Sequence, residues 1–456
     1  MDVVKRIVHH GAHQGVTGSC HEFVMQNDAA MLIDCGQFQG GDIRDLVPEH
    51  GFQDIDFPTQ HIVGLVLTHC HIDHVGRLPS LMTAGYRAPI YCTPATAVLL
   101  PIVLADAMKI TRFPQAEKVL RGVQSLLRPL PLNQWHELEQ DWRLRLRNAG
   151  HIMGSAYVEF EHMTEVNESQ LPVRVVFSGD LGCKNTPLLP DPTPLEYADA
   201  LVLESTYGDR LHEDRQTRQQ RLKSVIEKAF LDGGTVLIPA FSIGRTQELL
   251  YEIEDIIFDD PKWRKMTVIL DSPLAGQYTQ QYRRLKMLWD EEAKQRLADD
   301  RHPLNFERLH VVESHQQHMQ IVDLLRHSGE PAIVLAASGM CSGGRIVNYL
   351  KALLGDERTD VVFVGYQAEG TPGRQIQDYG PSSGYVMLDH NRYDIRARIH
   401  TLGGYSAHAD QRELLEFLHT TVGAVHDVRL VHGEASAKAA LSAAILRSGL
   451  ITGKVV

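Results

Sequence analysis

The 456-residue sequence has no long hydrophobic run. Apolar runs such as Thr235–Ala240 and Ala332–Ala337 fall far short of the roughly 18 residues a membrane-spanning helix requires. The N-terminal segment MDVVKRIVHHGAHQG lacks the apolar core of a secretory signal, so the expected location is cytoplasmic. Cysteine is scarce, six residues with none spaced as CxxC, which removes a zinc ribbon and, for a cytosolic chain, a disulfide framework. The four tryptophans do not cluster, so no base-stacking platform is legible. There is no repeat of fixed period and no low-complexity tract. A basic surplus is missing too: 45 Lys and Arg against 57 Asp and Glu leave a net charge of −12. That balance speaks against a generic nucleic-acid binder, whose affinity comes from phosphate contacts, although a local basic groove works within an acidic protein.

What is present is an ordinary globular composition, 43% hydrophobic and 22% charged, which excludes a disordered tail, a fibre or a small disulfide scaffold. At roughly 150 residues per domain the length suits two or three domains. Histidine stands out at 24 residues and directs the search to metal ligands.

Apolar runs rich in Val, Ile and Leu predict strands over Ala30–Asp34, Gly64–Thr68, Leu144–Ala149, Arg174–Ser178, Ala200–Glu204, Thr235–Pro239, Thr267–Asp271, Ala332–Ala336, Val361–Tyr366 and Asp427–Val431. Trp142–Arg147 alternates apolar residues with Arg and reads as a strand with one wet face. Thr246–Ile257 sets Leu249, Leu250, Ile253, Ile256 and Ile257 on one helical stripe. Asp410 with Glu413 has the spacing of a capping box, and Gly449 ends an Ala-rich helix from Ser436. The class is α/β, with helices layered on sheet. A second βα pattern runs from about Glu204 to Asn391, with chemistry-bearing motifs on either side, so one domain is expected to be inserted in another.

The densest signal is Thr68–Gly76, THCHIDHVG, which puts His69, His71, Asp73 and His74 just after an apolar run. In an extended segment His69 and His71 share a face and reach one ion; a turn then lets Asp73 and His74 reach a second. Imidazole with carboxylate suits zinc, with manganese or iron as alternatives. Cys70, between two of these histidines, points the other way and reads as packing. Further candidates follow other expected strands: His151 in AGHIMGSA, Asp180 in SGDLG and His432 in VHGE. Active sites of α/β folds gather at strand carboxyl ends.

The order Asp34, HxHxDH, His151, Asp180 resembles the four motifs of the metallo-β-lactamase fold. Glu204 in LESTYGD, His408 in GGYSAHAD and His432 in VHGE resemble motifs A, B and C of its β-CASP branch, which includes the 73-kDa endonuclease of the eukaryotic cleavage and polyadenylation factor and its bacterial and archaeal relatives. PAFSIGRTQELL and SGMCSGGR also look like segments of that branch, and the match covers nearly the whole chain. A His at motif C looks like the RNA-processing members, whereas the DNA-repair members differ there. The resemblance implies a metallo-β-lactamase αββα sandwich assembled from residues 1–204 and 391–456, with an inserted β-CASP α/β domain over 205–390 forming the other wall of a cleft. It implies two metals. His69, His71 and His151 would hold the first; Asp73, His74 and His432 the second; Asp180 would bridge them; and Asp34 would orient ligands from behind.

Two close metals share one hydroxide, lower the pKa of its parent water and neutralise charge on a phosphate oxygen. The leaving sugar oxygen needs a proton, and His408, oriented by Glu204, is the candidate donor. With Asp73 and Asp180 these form the expected catalytic set. The Gly-rich stretch Ser338–Arg345 offers closely spaced amides that cradle phosphate, and Ser338, Gly339, Arg345, Arg245 and Arg374 are candidate phosphate contacts. Salt-bridging within the fold is the alternative for each arginine. Arg392, Arg396, Arg398 and His400 form a local basic patch. The expected function is a metal-dependent ribonuclease acting on single-stranded RNA, with endonuclease favoured over exonuclease action and 5′-phosphate and 3′-hydroxyl products. A small ester or thioester metallohydrolase, a non-catalytic RNA-processing scaffold, and DNA as substrate are the rival readings. Self-association is compatible with the sequence and not legible in it.

Overall fold

A computed structural model of the chain describes residues 3–39, 42, 54–166, 171–260, 262–263 and 266–456. The chain divides into two compact units, residues 1–184, 190–211 and 408–456 in one and residues 185–189 and 212–407 in the other. Sequence patterning placed the same transitions at 204/205 and 390/391. The shift has a cause at each junction. Tyr207 forms a bridge to Asp410 within the first unit, so the chain stays with it beyond Glu204. Residues 398–401 add a strand to the second unit's sheet, which keeps the chain there beyond Asn391.

In the first unit β1 (Val4–Gly11), β2 (Cys20–Met25), β3 (Ala30–Ile33), β4 (Ile62–Val66), β5 (Ile90–Cys92) and β6 (Leu127–Pro129) form a six-stranded sheet in that order. The first two pairings are antiparallel and the rest parallel. Next come β7 (Trp135–Glu137), β8 (Trp142–Asn148), β9 (Ala156–Val166), β10 (Pro172–Phe177) and β11 (Ala198–Glu204). The second unit contributes β12 (Thr235–Pro239), β13 (Thr267–Asp271), β14 (Leu309–Val311), β15 (Ala332–Ala336), β16 (Asp360–Phe363), the hairpin β17 (Tyr385–Leu388) and β18 (Asn391–Asp394), and β19 (Arg398–Thr401). The chain then returns to the first unit with β20 (Val425–Val431). The first unit's second sheet has the order β20-β11-β10-β9-β8-β7, and β20, β11 and β10 run parallel.

Alternation along the strands explains the layers of this unit. Met31 and Ile33 join Phe23, Trp142, Phe160, Phe177 and Val202 in one core, so the two sheets pack face to face. Within that core the Phe23 ring lies 4.9 Å from Trp142 and 5.0 Å from Phe160, centroid to centroid. On β11 the intervening Leu201 and Leu203 point the other way and pack with Leu414, Phe417, Leu441 and Ile445 of the helices Gln411–Phe417 and Ala435–Ser448. Leu32 and Leu65, on the outward face of the first sheet, are also fully buried, the mark of a sheet covered by helix. The result is an αββα sandwich. Asp410 caps its helix in a complete capping box with Glu413, and Gly449 ends the last helix at φ 65°.

The arginine face of β8 is only partly wet: Arg143 and Arg147 are half-buried, whereas Arg145 is buried beside Arg174 of β10. Arg145 and Arg174 are 9% and 4% exposed, because a carboxylate ladder matches them. Arg145 pairs with Glu159 and lies 2.9 Å from Glu196; Arg174 pairs with Glu161 and lies 2.8 Å from Glu196. The Trp135 ring stacks under Arg143 and Arg145 at 4.4 and 4.3 Å.

The second unit holds a parallel six-stranded sheet in the order β14-β13-β15-β12-β16-β19, with the β17–β18 hairpin beside it. β12, β13 and β15 occupy the residues that their apolar runs predict, and β12 and β15 are buried throughout. No helix among the described residues is long and apolar enough to cross a membrane.

Candidate metal centre

The first unit gathers its histidines and acids at strand carboxyl ends. Asp34 follows β3, His69–His74 follow β4, His151 follows β8, Asp180 follows β10, Glu204 closes β11 and His432 follows β20. Parallel neighbours β10, β11 and β20 bring three of these to one edge. Asp73 and His74 ride on a short helix, Ile72–Val75. Its approach to the β3 loop depends on Gly36, because a Cβ there would come within 1.5 Å of the Asp73 carbonyl oxygen. The His151 loop is pinned from the other side: Thr93, capping the helix Pro94–Ile110, donates to the Gly154 carbonyl at 2.7 Å. Ser155 Oγ then accepts from the His151 amide at 2.9 Å.

Two donor sets converge. In one, His71 Nδ1 lies 3.0 Å from His69 Nε2 and 3.1 Å from His151 Nε2, and both Nε2 atoms lie 3.5 Å from Asp180 Oδ2. In the other, His74 Nε2 lies 3.3 Å from His432 Nε2, which lies 3.3 Å from Asp73 Oδ2. Asp180 turns its second oxygen here, with Oδ1 3.2 Å from His74 Nε2 and 3.6 Å from His432 Nε2. Tetrahedral ligands at zinc-like bond lengths would stand about 3.3 Å apart. A neutral imidazole has one N–H and one lone pair, so three ring nitrogens at this spacing cannot satisfy one another. Asp180 Oδ1 is buried and lacks a hydrogen-bond partner. The donor sets therefore fit bound metal. Cys70 is buried outside them, with its thiol pushed up to about 12 by burial and by Cys92.

Outer contacts fix the candidate ligands. Asp34, held at φ 59°, lies 2.7 Å from His74 Nδ1 and accepts from the Thr68 amide and hydroxyl, each at 2.8 Å. That leaves His74 Nε2 facing Asp180. Thr206 Oγ1 stands 3.0 Å from His432 Nδ1. Thr68 and Thr206 lie inside the sequence motifs but carry no spacing signal; their roles emerge only from strands that meet in space. Burial and neighbouring histidine charge hold His69 well below its ordinary value, and burial takes His71 to about 4. Both are thus neutral and free to present a lone pair.

His408 and Glu204 flank the same edge. His408 Nδ1 is 3.1 and 3.2 Å from the two Glu204 oxygens, and its Nε2 is 3.9 Å from Asp180 Oδ2. Glu204 is fully buried and also accepts from the Leu181 amide at 2.7 Å. Burial pulls the His408 pKa down, but Glu204 and Asp180 outweigh it and raise the value to about 9.

The remaining candidates lie in the second unit, and many already hold partners. Arg245 is 7% exposed and sits 2.6 Å from Glu248 one turn on. Arg345 reaches Asp271 at 2.6 Å and the Val312 carbonyl at 2.9 Å. Arg374 lies 2.9 Å from Asp378 and stays exposed. Ser338 and Gly339 open the turn after β15. The segment read as a basic patch is largely compensated: Arg392 lies 3.0 Å from Asp394, Arg398 lies 2.8 Å from Asp232 and also pairs with Asp360, and His400 lies 2.7 Å from Asp360.

Comparison with known proteins matches residues 15–160 to the metallo-β-lactamase superfamily, residues 246–376 to the β-CASP domain, and residues 392–454 to the Zn-dependent metallo-hydrolase RNA specificity domain. A Thermus thermophilus protein named ribonuclease TTHA0252 is 38% identical over 431 residues, covering 94% of this chain and 93% of that one. Two archaeal proteins named transcription termination factor FttA are also similar. The one from Methanocaldococcus jannaschii is 29% identical over 93% of this chain and 66% of its own length. The one from Methanothermobacter thermautotrophicus is 30% identical over 98% of this chain and 70% of its own.

Proposed function

This chain belongs to the β-CASP branch of the metallo-β-lactamase superfamily, and from that premise we propose that it is a metal-dependent ribonuclease acting on single-stranded RNA in the cytoplasm. His69, His71 and His151 would hold one ion and Asp73, His74 and His432 another, with Asp180 shared. Zinc suits these donors, with manganese or iron as alternatives. Such a pair, when bound, supplies water activation near neutral pH and counter-charge for the phosphate oxygens.

The chain's own residues do the rest. Asp180 and Asp73 bring negative charge that keeps both donor sets together. His408 would deliver a proton from Nε2 to the departing 3′ oxygen of the RNA strand, since its Nδ1 is engaged by Glu204. Glu204, fixed by the Leu181 amide, orients that ring and favours its charged form. The products are a 5′-phosphate and a 3′-hydroxyl, and endonucleolytic action is the preferred form of the reading.

The observation that carries this proposal is the His408–Glu204 pair beside two converging donor sets, which puts a carboxylate-oriented proton donor for a departing sugar oxygen next to the groups that would hold the metals. The test is cleavage of end-labelled single-stranded RNA by zinc- or manganese-loaded protein, with His408→Ala alongside. Cleavage by the wild type that drops at least a hundredfold in the variant supports it, and the fragment ladder reads endo against exo action. A 2′,3′-cyclic phosphate product, or no cleavage by the metal-replete wild type, overturns it.

A further inference from the structure

In the second unit's sheet β12 lies between β15 and β16. The chain leaves β12 towards β13 on one side, whereas it leaves β15 and β16 towards the other. With right-handed crossovers these connections pass over opposite faces, and such a reversal opens a crevice at the strand carboxyl ends. Three loops meet there, carrying Phe241 after β12, Ser338–Arg345 after β15 and Tyr366 after β16.

Phe241 is a large apolar side chain left 51% exposed. It is nevertheless fixed. A Cβ on Gly339 would stand 3.2 Å from ring atoms Cδ2 and Cε2, so the ring lies against the Gly339 backbone with its other side to solvent. The Phe241 carbonyl accepts from Thr246 Oγ1 at 2.7 Å. Gln367, 4% exposed, donates to the Gly339 carbonyl at 2.8 Å and ties that turn to the β16 loop. Its chain neighbour Tyr366 is a second aromatic ring, 46% exposed. The turn beneath is rich in donors: Ser338 Oγ is buried without a partner, and the Gly339, Met340 and Gly343 amides donate to no group among the described residues. Arg374 stands at the start of the helix that follows Tyr366 and is half exposed.

An ordered aromatic face open to solvent, beside unused amide donors, has the two parts that single-stranded nucleic-acid sites combine: a platform for a base and a cradle for the backbone phosphate. We propose that Phe241, backed by Gly339, is a stacking platform for a base of single-stranded RNA. Tyr366 makes a second aromatic contact, and the 338–345 turn takes the neighbouring phosphate. The proposal rests on the ribonuclease reading for its ligand and on the second unit alone for its geometry.

The test is fluorescence anisotropy with a labelled single-stranded oligoribonucleotide and an abasic strand of equal length. The protein is the full metal-loaded chain carrying His408→Ala to suppress cleavage. Adding Phe241→Ala should weaken binding of the base-bearing strand about 5- to 160-fold, the range found for loss of one stacked base. The abasic strand should bind both proteins alike, Phe241→Trp should restore affinity, and Tyr366→Ala should weaken base-bearing RNA independently. Unchanged affinity for Phe241→Ala, while the wild type cleaves RNA, overturns the platform and leaves the ribonuclease reading standing. A wild type that neither cleaves nor binds RNA overturns both. Equal losses on base-bearing and abasic strands would show an effect on the phosphate track and overturn stacking.

Discussion

Thr206 Oγ1 sits 3.0 Å from His432 Nδ1 and donates to the backbone carbonyl of the same histidine at 3.1 Å. With its proton committed, the hydroxyl oxygen accepts the Nδ1 proton, which leaves the Nε2 lone pair directed at His74 and Asp73. Thr206→Val keeps the shape and removes that acceptor. Metal affinity should fall about 10- to 100-fold, the usual cost of losing an outer partner of a ligand histidine. Competition with a chromophoric chelator measures it, and Thr206→Ser should retain most of the affinity. An unchanged affinity in Thr206→Val would show that the contact does not orient the ligand.

Asp180 faces both donor sets, with Oδ2 towards His69 and His151 and Oδ1 towards His74 and His432. If the chain holds the two ions proposed, Asp180→Asn should reduce both occupancies together, from two per chain to fewer than one, as read by elemental analysis of dialysed protein. Metal removal should also lower the melting temperature, because ligand at a hundred times its dissociation constant adds about 2.7 kcal/mol to stability. Re-addition of zinc should restore the transition in the wild type and not in Asp180→Asn. Restoration in both would place the carboxylate outside the metal site.

The sequence made some of this visible and hid the rest for physical reasons. β12, β13 and β15 are continuous apolar runs in a parallel sheet, and their limits coincide with the pattern. The candidate ligands on Thr68–Gly76 stand out because four of them fall within one short segment. β1, β2 and most of β9 are harder, since residues such as His21, Glu22, Glu159 and Glu161 interrupt the apolar pattern yet are buried through partners on other segments. β19 reads as a basic patch, because the acids that neutralise it, Asp232 and Asp360, are far away in sequence. Phe241 is silent for a related reason: its ring is fixed by a glycine 98 positions on, a relation that no local pattern carries.

Phe160 joins the two sheets of the first unit, fully buried between Phe23 at 5.0 Å and Phe177 at 6.1 Å. Phe160→Ala opens a cavity in close-packed surroundings and should cost about 3–5 kcal/mol. Denaturant unfolding followed by far-UV circular dichroism should show a lower midpoint for the transition of this unit. Phe160→Leu, which keeps most of the volume, should lose less. A loss below about 1 kcal/mol for Phe160→Ala would mean that the sheets close over the gap.

Glu196 gives the fold a dependence on acid. Burial pushes its pKa up, but Arg174, Arg145 and Arg147, at 2.8, 2.9 and 2.7 Å, outweigh this and hold it at about 2. A carboxyl whose pKa is lower folded than unfolded binds a proton more readily when unfolded. Its stabilisation is complete above the unfolded value, about 4.3, and is lost as pH falls towards 2. The stability difference between wild type and Glu196→Gln should therefore be constant from pH 8 to pH 5 and shrink steadily below that. Solvent reaches the side chain, 25% exposed, so the plateau should be smaller than the shift alone implies. Urea midpoints at several pH values read this directly. A difference that widens on acidification would reverse the sign and place the stabilising interaction on the protonated form.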